Sequence, residues 1–243
     1  MPTRNHPGSS LSTAGTSRAA SPAHIEAALG EYAQTPLRRL LARATRASYD
    51  PQDVLYHAGS ESDTLYFITA GLLKLVTHLP SGRARIVRLH RPASILGLSG
   101  LRDRNNEHTA IALTPVTALR LPLGSVRHLR TADPATYASL LERWHDYLQD
   151  ADTWITQFST GPIRGRVARL VAFLSEFEPD AADGEVQLLT CEEMGSILGV
   201  TSESASRILA EFKRERILVS SATEANETYA ADLDRLHDIG DEE

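Results

Sequence analysis

The spacing of apolar positions changes along this chain, and the changes divide it. Two short helical patterns run from Ile25 through Leu41, and short β-prone runs separated by turn residues follow to about Leu123. These runs are "DVLYHAGS", "TLYFITAGLLKLVTHLPSGRARIVRLH" and "TAIALTPVTALRLP". Such spacing predicts an antiparallel sandwich or jelly roll. From Pro134 the period becomes helical. Tyr137, Trp144, Ala151 and Phe158 recur every seven residues, with Leu140, Leu141, Tyr147, Leu148, Trp154 and Ile155 between them. A stripe of this kind serves either a coiled coil between two chains or a helix packed on its own sandwich. On the first reading the dimer contacts are Tyr137, Leu141, Trp144, Leu148, Ala151, Ile155 and Phe158.

"GPIRGRVARLVAFLSEF" then opens a new helical segment, "EVQLL" is a short strand, and "TCEEMGSILGVTSESASRILAEFKRERIL" carries two helical patterns around a Gly-Val-Thr turn. Thr190 with Glu193 three residues on makes a capping box, so a helix starts at Cys191. Met194, Ile197 and Leu198 are its inward positions, and Gly195 is small where a second helix would cross closely. Gly199 permits the positive φ that ends the helix. Thr201 caps the next one, whose buried stripe is Ala205, Ile208 and Leu209. The spacing is that of a helix-turn-helix.

The predicted organisation is α+β: a disordered leader over 1–23, a β-roll sensor domain over 24–132, a dimerisation helix over 133–160 and a winged helix-turn-helix domain with an acidic tail over 161–243. The leader reading rests on Ser, Thr, Gly, Pro and Ala without an apolar period.

Composition narrows the function. At 243 residues the chain is long enough for two domains. It has no apolar run of membrane-spanning length and no secretory signal, so a soluble, cytoplasmic protein is expected. A single cysteine, Cys191, excludes an internal disulfide framework and any site built from several thiolates. No Ser-His-acid elbow, phosphate loop or metal-spaced His pair is present, so neither catalytic residues nor metal ligands are assigned. The formal charge of −6 is uneven: residues 222–243 carry −7, leaving about +1 elsewhere, so net charge does not argue against DNA.

The outward residues of the second helix lie near its N-terminal end, the end that enters the major groove in such motifs: Ser202, Glu203, Ser206 and Arg207. Arg207 can pair bidentately with guanine O6 and N7, Glu203 can accept from cytosine N4, and Ser206 can bond either kind of edge. Lys213, Arg214 and Arg216 lie where phosphate contact is expected instead. The plainer reading of Glu203 and Arg207 is a solvated pair on one helix face.

From residue 25 onward the chain resembles the Crp/Fnr superfamily. "GVTSESASRIL", with Glu203, Ser206 and Arg207, is similar to the recognition signature of its Fnr and FixK branches. The Gly59 and Gly71 turns resemble its β-roll, and the 134–159 helix resembles its dimerisation helix. The resemblance implies a homodimeric transcription regulator, activator in kind, with double-stranded DNA and RNA polymerase as partners and a TTGAT-N4-ATCAA-like palindrome as its site. It also implies what is missing. Ile95 stands where cyclic-AMP-binding members have a Glu for the ribose, and His108 where they have an Arg for the phosphate, leaving Thr109 alone of that pair. Cyclic AMP is therefore not expected, and an iron–sulfur cluster lacks its cysteines. Haem-based sensing of CO or NO is the alternative, with His57, His78, His90 and His108 in the sensor domain but Leu98 at the place matching the carbon-monoxide sensor's ligand. A ligand-binding module acting through a protein partner is another. Working without a small ligand or cofactor, as FixK-like members do, is the preferred expectation. Cys191 sits where FixK-like regulators carry a single redox-active cysteine.

Overall fold

The computed structural model describes residues 37–102, 104–176, 184–221 and 228–242. The leader and the first of the two early helical patterns lie outside the described residues. A short helix, α1 (Leu37–Leu41), leads into eight strands: β1 (Thr45–Tyr49), β2 (Val54–Tyr56), β3 (Thr64–Ala70), β4 (Leu73–His78), β5 (Ala84–His90), β6 (Ile95–Leu96), β7 (Thr109–Ala112) and β8 (Val116–Pro122). They form two antiparallel four-stranded sheets, ordered β1-β8-β3-β6 and β2-β7-β4-β5. This is the sandwich that the turn-separated runs predict.

The central strand β3 is buried on both faces, which is why its sequence reads TLYFITA without polar alternation. Tyr66 and Ile68 meet Leu73, Leu75, Ala110 and Ala112 in the core between the sheets. Leu65 and Phe67 face the other way, onto a second core with Leu119, Leu121, Val126 and Leu140. Gly71 closes the β3–β4 turn at φ +85, and a Cβ there would lie 2.9 Å from Val116 Cα. Only glycine meets both the positive φ and that close approach.

Two short helices, α2 (Leu123–Arg127) and α3 (Leu129–Ala132), precede the long helix α4 (Pro134–Ser159). Asp133 caps α4 by accepting from the Thr136 amide at 3.3 Å, with Pro134 in the first turn. The apolar stripe of α4 is divided between neighbours. Leu140 is buried on the β-sandwich, with Tyr137, Leu141, Trp144 and Tyr147 packed against the same core. Leu148 and Ile155 remain 53% and 57% exposed. Phe158 corrects the sequence reading: it is 1% exposed within the single chain and stacks edge-on to Trp154 and Phe173, with centroids 4.7 and 5.4 Å apart. Phe158 shares its apolar cluster with Val167, Leu170 and Val171 of the following helix, so the chain itself covers it.

The C-terminal unit comprises α5 (Ile163–Ser175), β9 (Glu185–Gln187), α6 (Cys191–Leu198), α7 (Ser202–Arg214), β10 (Leu218–Ser220), β11 (Thr228–Ala231) and α8 (Leu233–Asp241). The strands pair in the order β10-β11-β9 as a small antiparallel wing. The acid-rich end, read from sequence as a tail, is folded over its described part. Leu236 and Ile239 of α8 are buried, while Asp232 caps the helix by accepting from the Arg235 amide at 3.1 Å. Its acids occupy the outer face of an amphipathic helix.

Arg169, which no sequence pattern singles out, fastens this unit to α4. It donates to the carbonyls of Gln157 and Thr160, each at 2.7 Å, and to that of Gly240.

Candidate nucleic-acid interface

The local geometry of α6 and α7 follows from a few side chains. Thr190 Oγ1 accepts from the Glu193 amide at 3.2 Å while a Glu193 carboxylate oxygen accepts from the Thr190 amide at 3.2 Å, completing the capping box. Gly199 ends α6 at φ +70. Thr201 then caps α7, accepting from the Ser204 amide at 3.2 Å. A Cβ at Gly195 would lie 2.8 Å from the Val200 carbonyl oxygen and 3.4 Å from the Ser202 amide nitrogen, so the glycine makes room for the turn and for the start of α7. Met194, Ile197, Leu198, Ala205, Ile208, Leu209 and Phe212 form one apolar interior.

That interior fixes which side of α7 faces out. Glu203, Ser206 and Arg207 are exposed and Ser202 is half-buried. Glu203 is held below the usual carboxylate range by hydrogen bonds, its own backbone amide first and the Thr201 hydroxyl next. Among the described residues Glu203 and Arg207 form no ion pair. Both remain available to a partner. Lys213 is exposed but engaged: its Nζ donates to Tyr229 Oη at 2.7 Å and lies 4.4 Å from that ring's centroid. It ties the reading helix to the wing. Cys191 is half-buried against the domain's apolar cluster.

Sequence spacing gave no sign of how this unit is held to the β-sandwich. Lys74 Nζ of β4 donates to Glu193 at 2.9 Å. Ser196 Oγ accepts from the Ile86 amide at 3.0 Å and donates to the Ala84 carbonyl at 3.0 Å. Val76, Ile86 and Leu89 of the β4–β5 hairpin share one apolar cluster with α5, α6 and α7.

On the sandwich side, Ile95 is 4% exposed in an apolar core, and its amide donates to Tyr147 Oη at 2.7 Å. His90 is enclosed, with burial first and the Arg88 charge next pushing its pKa down to about 3. His108 is half-buried, and among the described residues its Nδ1 has no hydrogen-bond partner. Leu98 is 4% exposed in the core beside α4. Among the described residues no group of three or more His, Cys, Asp or Glu side chains is placed to hold a metal ion.

Residues 46–133 match the cyclic nucleotide-binding domain, and residues 166–239 match the Crp-like helix-turn-helix domain. The chain is 30% identical over 174 residues to the transcriptional regulatory protein btr of Bordetella pertussis, covering 68% of this chain and 69% of that one. The chain belongs to the Crp/Fnr family. As a Crp/Fnr protein it is a DNA-binding transcription regulator, and the helix-turn-helix described above is its DNA-binding element. It is also 27% identical over 187 residues to the transcriptional regulator LdrP of Thermus thermophilus, spanning 76% of this chain and 91% of that one. In fold it is similar to FixK2 from Bradyrhizobium japonicum, with a TM-score of 0.72 at 20% identity over 82% of this chain and 98% of that one. These Crp/Fnr relatives are regulators rather than enzymes. Among the described residues no helix is long and apolar enough to cross a membrane.

A ribose needs a carboxylate acceptor and a cyclic phosphate needs a guanidinium. Within the matched range Ile95 and Leu98 are enclosed in an apolar core, and His108 is half-buried, with burial lowering its pKa from the ordinary imidazole value.

Proposed function

We propose that the chain acts as a homodimer that reads a TTGAT-N4-ATCAA-like palindrome, placing one α7 helix in each of two successive major grooves. The observation that carries this reading is the exposure of Glu203 and Arg207 on the N-terminal half of α7, with Ser206 between them and no ion pair to either among the described residues. In this reading Arg207 takes a guanine, Glu203 accepts from a cytosine amino group, and Ser206 and Ser202 contact the edges and backbone beside them. Lys213 lies farther along α7 and meets phosphate. The exposed line of Leu148 and Ile155, with Leu141 seven residues before and Trp144 and Ala151 beside it, faces the second copy. A two-fold axis there sets the two reading helices one DNA turn apart.

The regulator works in the cytoplasm with RNA polymerase as its partner, and it needs neither a cyclic nucleotide nor haem. The apolar setting of Ile95 and Leu98 supports that reading. A gel shift decides the first part. The purified protein should retain a TTGAT-N4-ATCAA duplex against excess scrambled duplex, with no added nucleotide. Equal retention of both duplexes, or a requirement for cyclic AMP, overturns it.

A further inference from the structure

The β4–β5 hairpin carries a feature that its packing role leaves unexplained. Ser196 grips the backbone on both sides of Arg85, through the Ala84 carbonyl and the Ile86 amide. The side chain between them is thereby held against the turn of the helix-turn-helix. A Cβ at Gly199 would collide with Arg85 Nη1 and lie 3.3 Å from its Cζ. From the other side Arg166 Nη1 donates to the Leu198 carbonyl at 2.7 Å. Arg83, exposed near the hairpin tip, completes a cluster of three guanidinium groups.

Cations at a helix C-terminus have an ordinary explanation, because the last carbonyls and the helix dipole favour them. Arg166 fits it, since it takes the Leu198 carbonyl. Arg85 does not. Its side chain makes no hydrogen bond and no ion pair among the described residues, and its neighbouring charges, Arg83 and Arg166, are both positive. Burial first, and those two charges next, lower its pKa from the ordinary arginine value. A partly buried guanidinium with five unused donors and like-charged neighbours is stabilised by an anion. Two residues beyond Gly199 stands Thr201, the exposed N-cap of α7. The backbone amides at that helix end point outward for an anion as well.

We propose that Arg85, with Arg83 beside it, is a phosphate clamp: the sensor hairpin supplies a DNA-backbone contact beside the reading helix. The proposal rests on the reading that α7 enters the major groove, since the strand flanking that groove then passes the α7 N-terminus and the guanidinium next to it. The contact is blind to sequence. It also makes the docking of sensor and reading unit part of DNA affinity, because Arg85 reaches the phosphate only while Ser196 holds the hairpin.

The test is the salt dependence of binding by the full chain to the palindrome and to a scrambled duplex, for the native protein, Arg85→Ala and Arg85→Lys, with thermal unfolding of each. One lost phosphate contact should flatten the slope of log K against log salt by about 0.9 for Arg85→Ala, equally on both duplexes. Arg85→Lys, which keeps the charge, should retain the native slope. An unchanged slope with a lowered unfolding temperature would make Arg85 a helix-end stabiliser and overturn the clamp, as would tighter binding by Arg85→Ala. If the native protein prefers the palindrome while the slopes agree, the clamp alone falls. If the native protein binds neither duplex, the groove reading falls with it.

Discussion

Lys74 Nζ lies 2.9 Å from Glu193 Oε1, joining a β-sandwich strand to the residue that caps the first helix of the helix-turn-helix. The two side chains are only 11% and 15% exposed, so solvent screens the pair weakly. The opposite oxygen of the same carboxylate closes the capping box with Thr190. One glutamate therefore serves the start of α6 and the docking of two domains at once.

A double-mutant cycle should show this coupling. Lys74→Met and Glu193→Gln should each destabilise the chain, with an interaction energy between them of about 1–3 kcal/mol. Additive effects in denaturant unfolding would mean that the pair carries no coupling.

Arg207→Ala should cost about 1–3 kcal/mol at the palindrome and relax preference at the guanine of each half-site. Competition gel shifts with single-base variants check it. Uniform weakening across all variants would make Arg207 a backbone contact.

The division of α4 separates assembly from folding. Leu148→Glu combined with Ile155→Glu should yield folded monomers by sedimentation, since both side chains are more than half exposed in one chain. Phe158→Ala should instead lower stability by about 3–5 kcal/mol, as truncation of an enclosed aromatic does, and leave association intact. A dimer that survives the double substitution would place the interface elsewhere.

His90, with its pKa lowered from 6.5 to about 3, is neutral when folded and protonates once unfolded. The unfolded chain binds the extra proton below pH 6.5, so stability is full above that value and is lost as pH falls toward 3. The loss should reach about 2 kcal/mol at pH 5. Urea unfolding of His90→Phe should lack this slope, and an unchanged slope would assign it to other groups.

Cys191 packs half-buried at the start of α6, two residues before Glu193. Peroxide should weaken operator binding by the native protein, because a sulfinate introduces charge into an apolar contact and next to a DNA-facing helix end. Cys191→Ala should resist. Equal sensitivity of the two proteins would remove the cysteine from regulation, since the chain has no other thiol.

The helix-turn-helix was legible because its determinants are local. Thr190 with Glu193, Gly199, and Thr201 each act on backbone within a few residues, and the apolar period of α7 dictates that Glu203, Ser206 and Arg207 point outward. The β-sandwich was legible for a similar reason: turn residues at short intervals leave the intervening runs little choice but to pair with neighbours. The short pieces were not. β6 is two residues long, and the helix α8 lies in a stretch whose acids mask the buried Leu236 and Ile239.

What tertiary structure alone decided concerns partners far apart in the chain. Lys74 and Glu193 are 119 residues apart, Ser196 and Ile86 110. No periodicity encodes such a pairing, because either side chain would be equally content in water at its own position. The stripe of α4 shows the same limit. Seven-residue spacing states that Trp144, Leu148, Ile155 and Phe158 seek apolar surroundings but not whose. Only the packed chain, by giving Phe158 to Trp154 and Phe173 and leaving Leu148 and Ile155 outside, assigns each its neighbour, since burial depends on which surfaces meet in space.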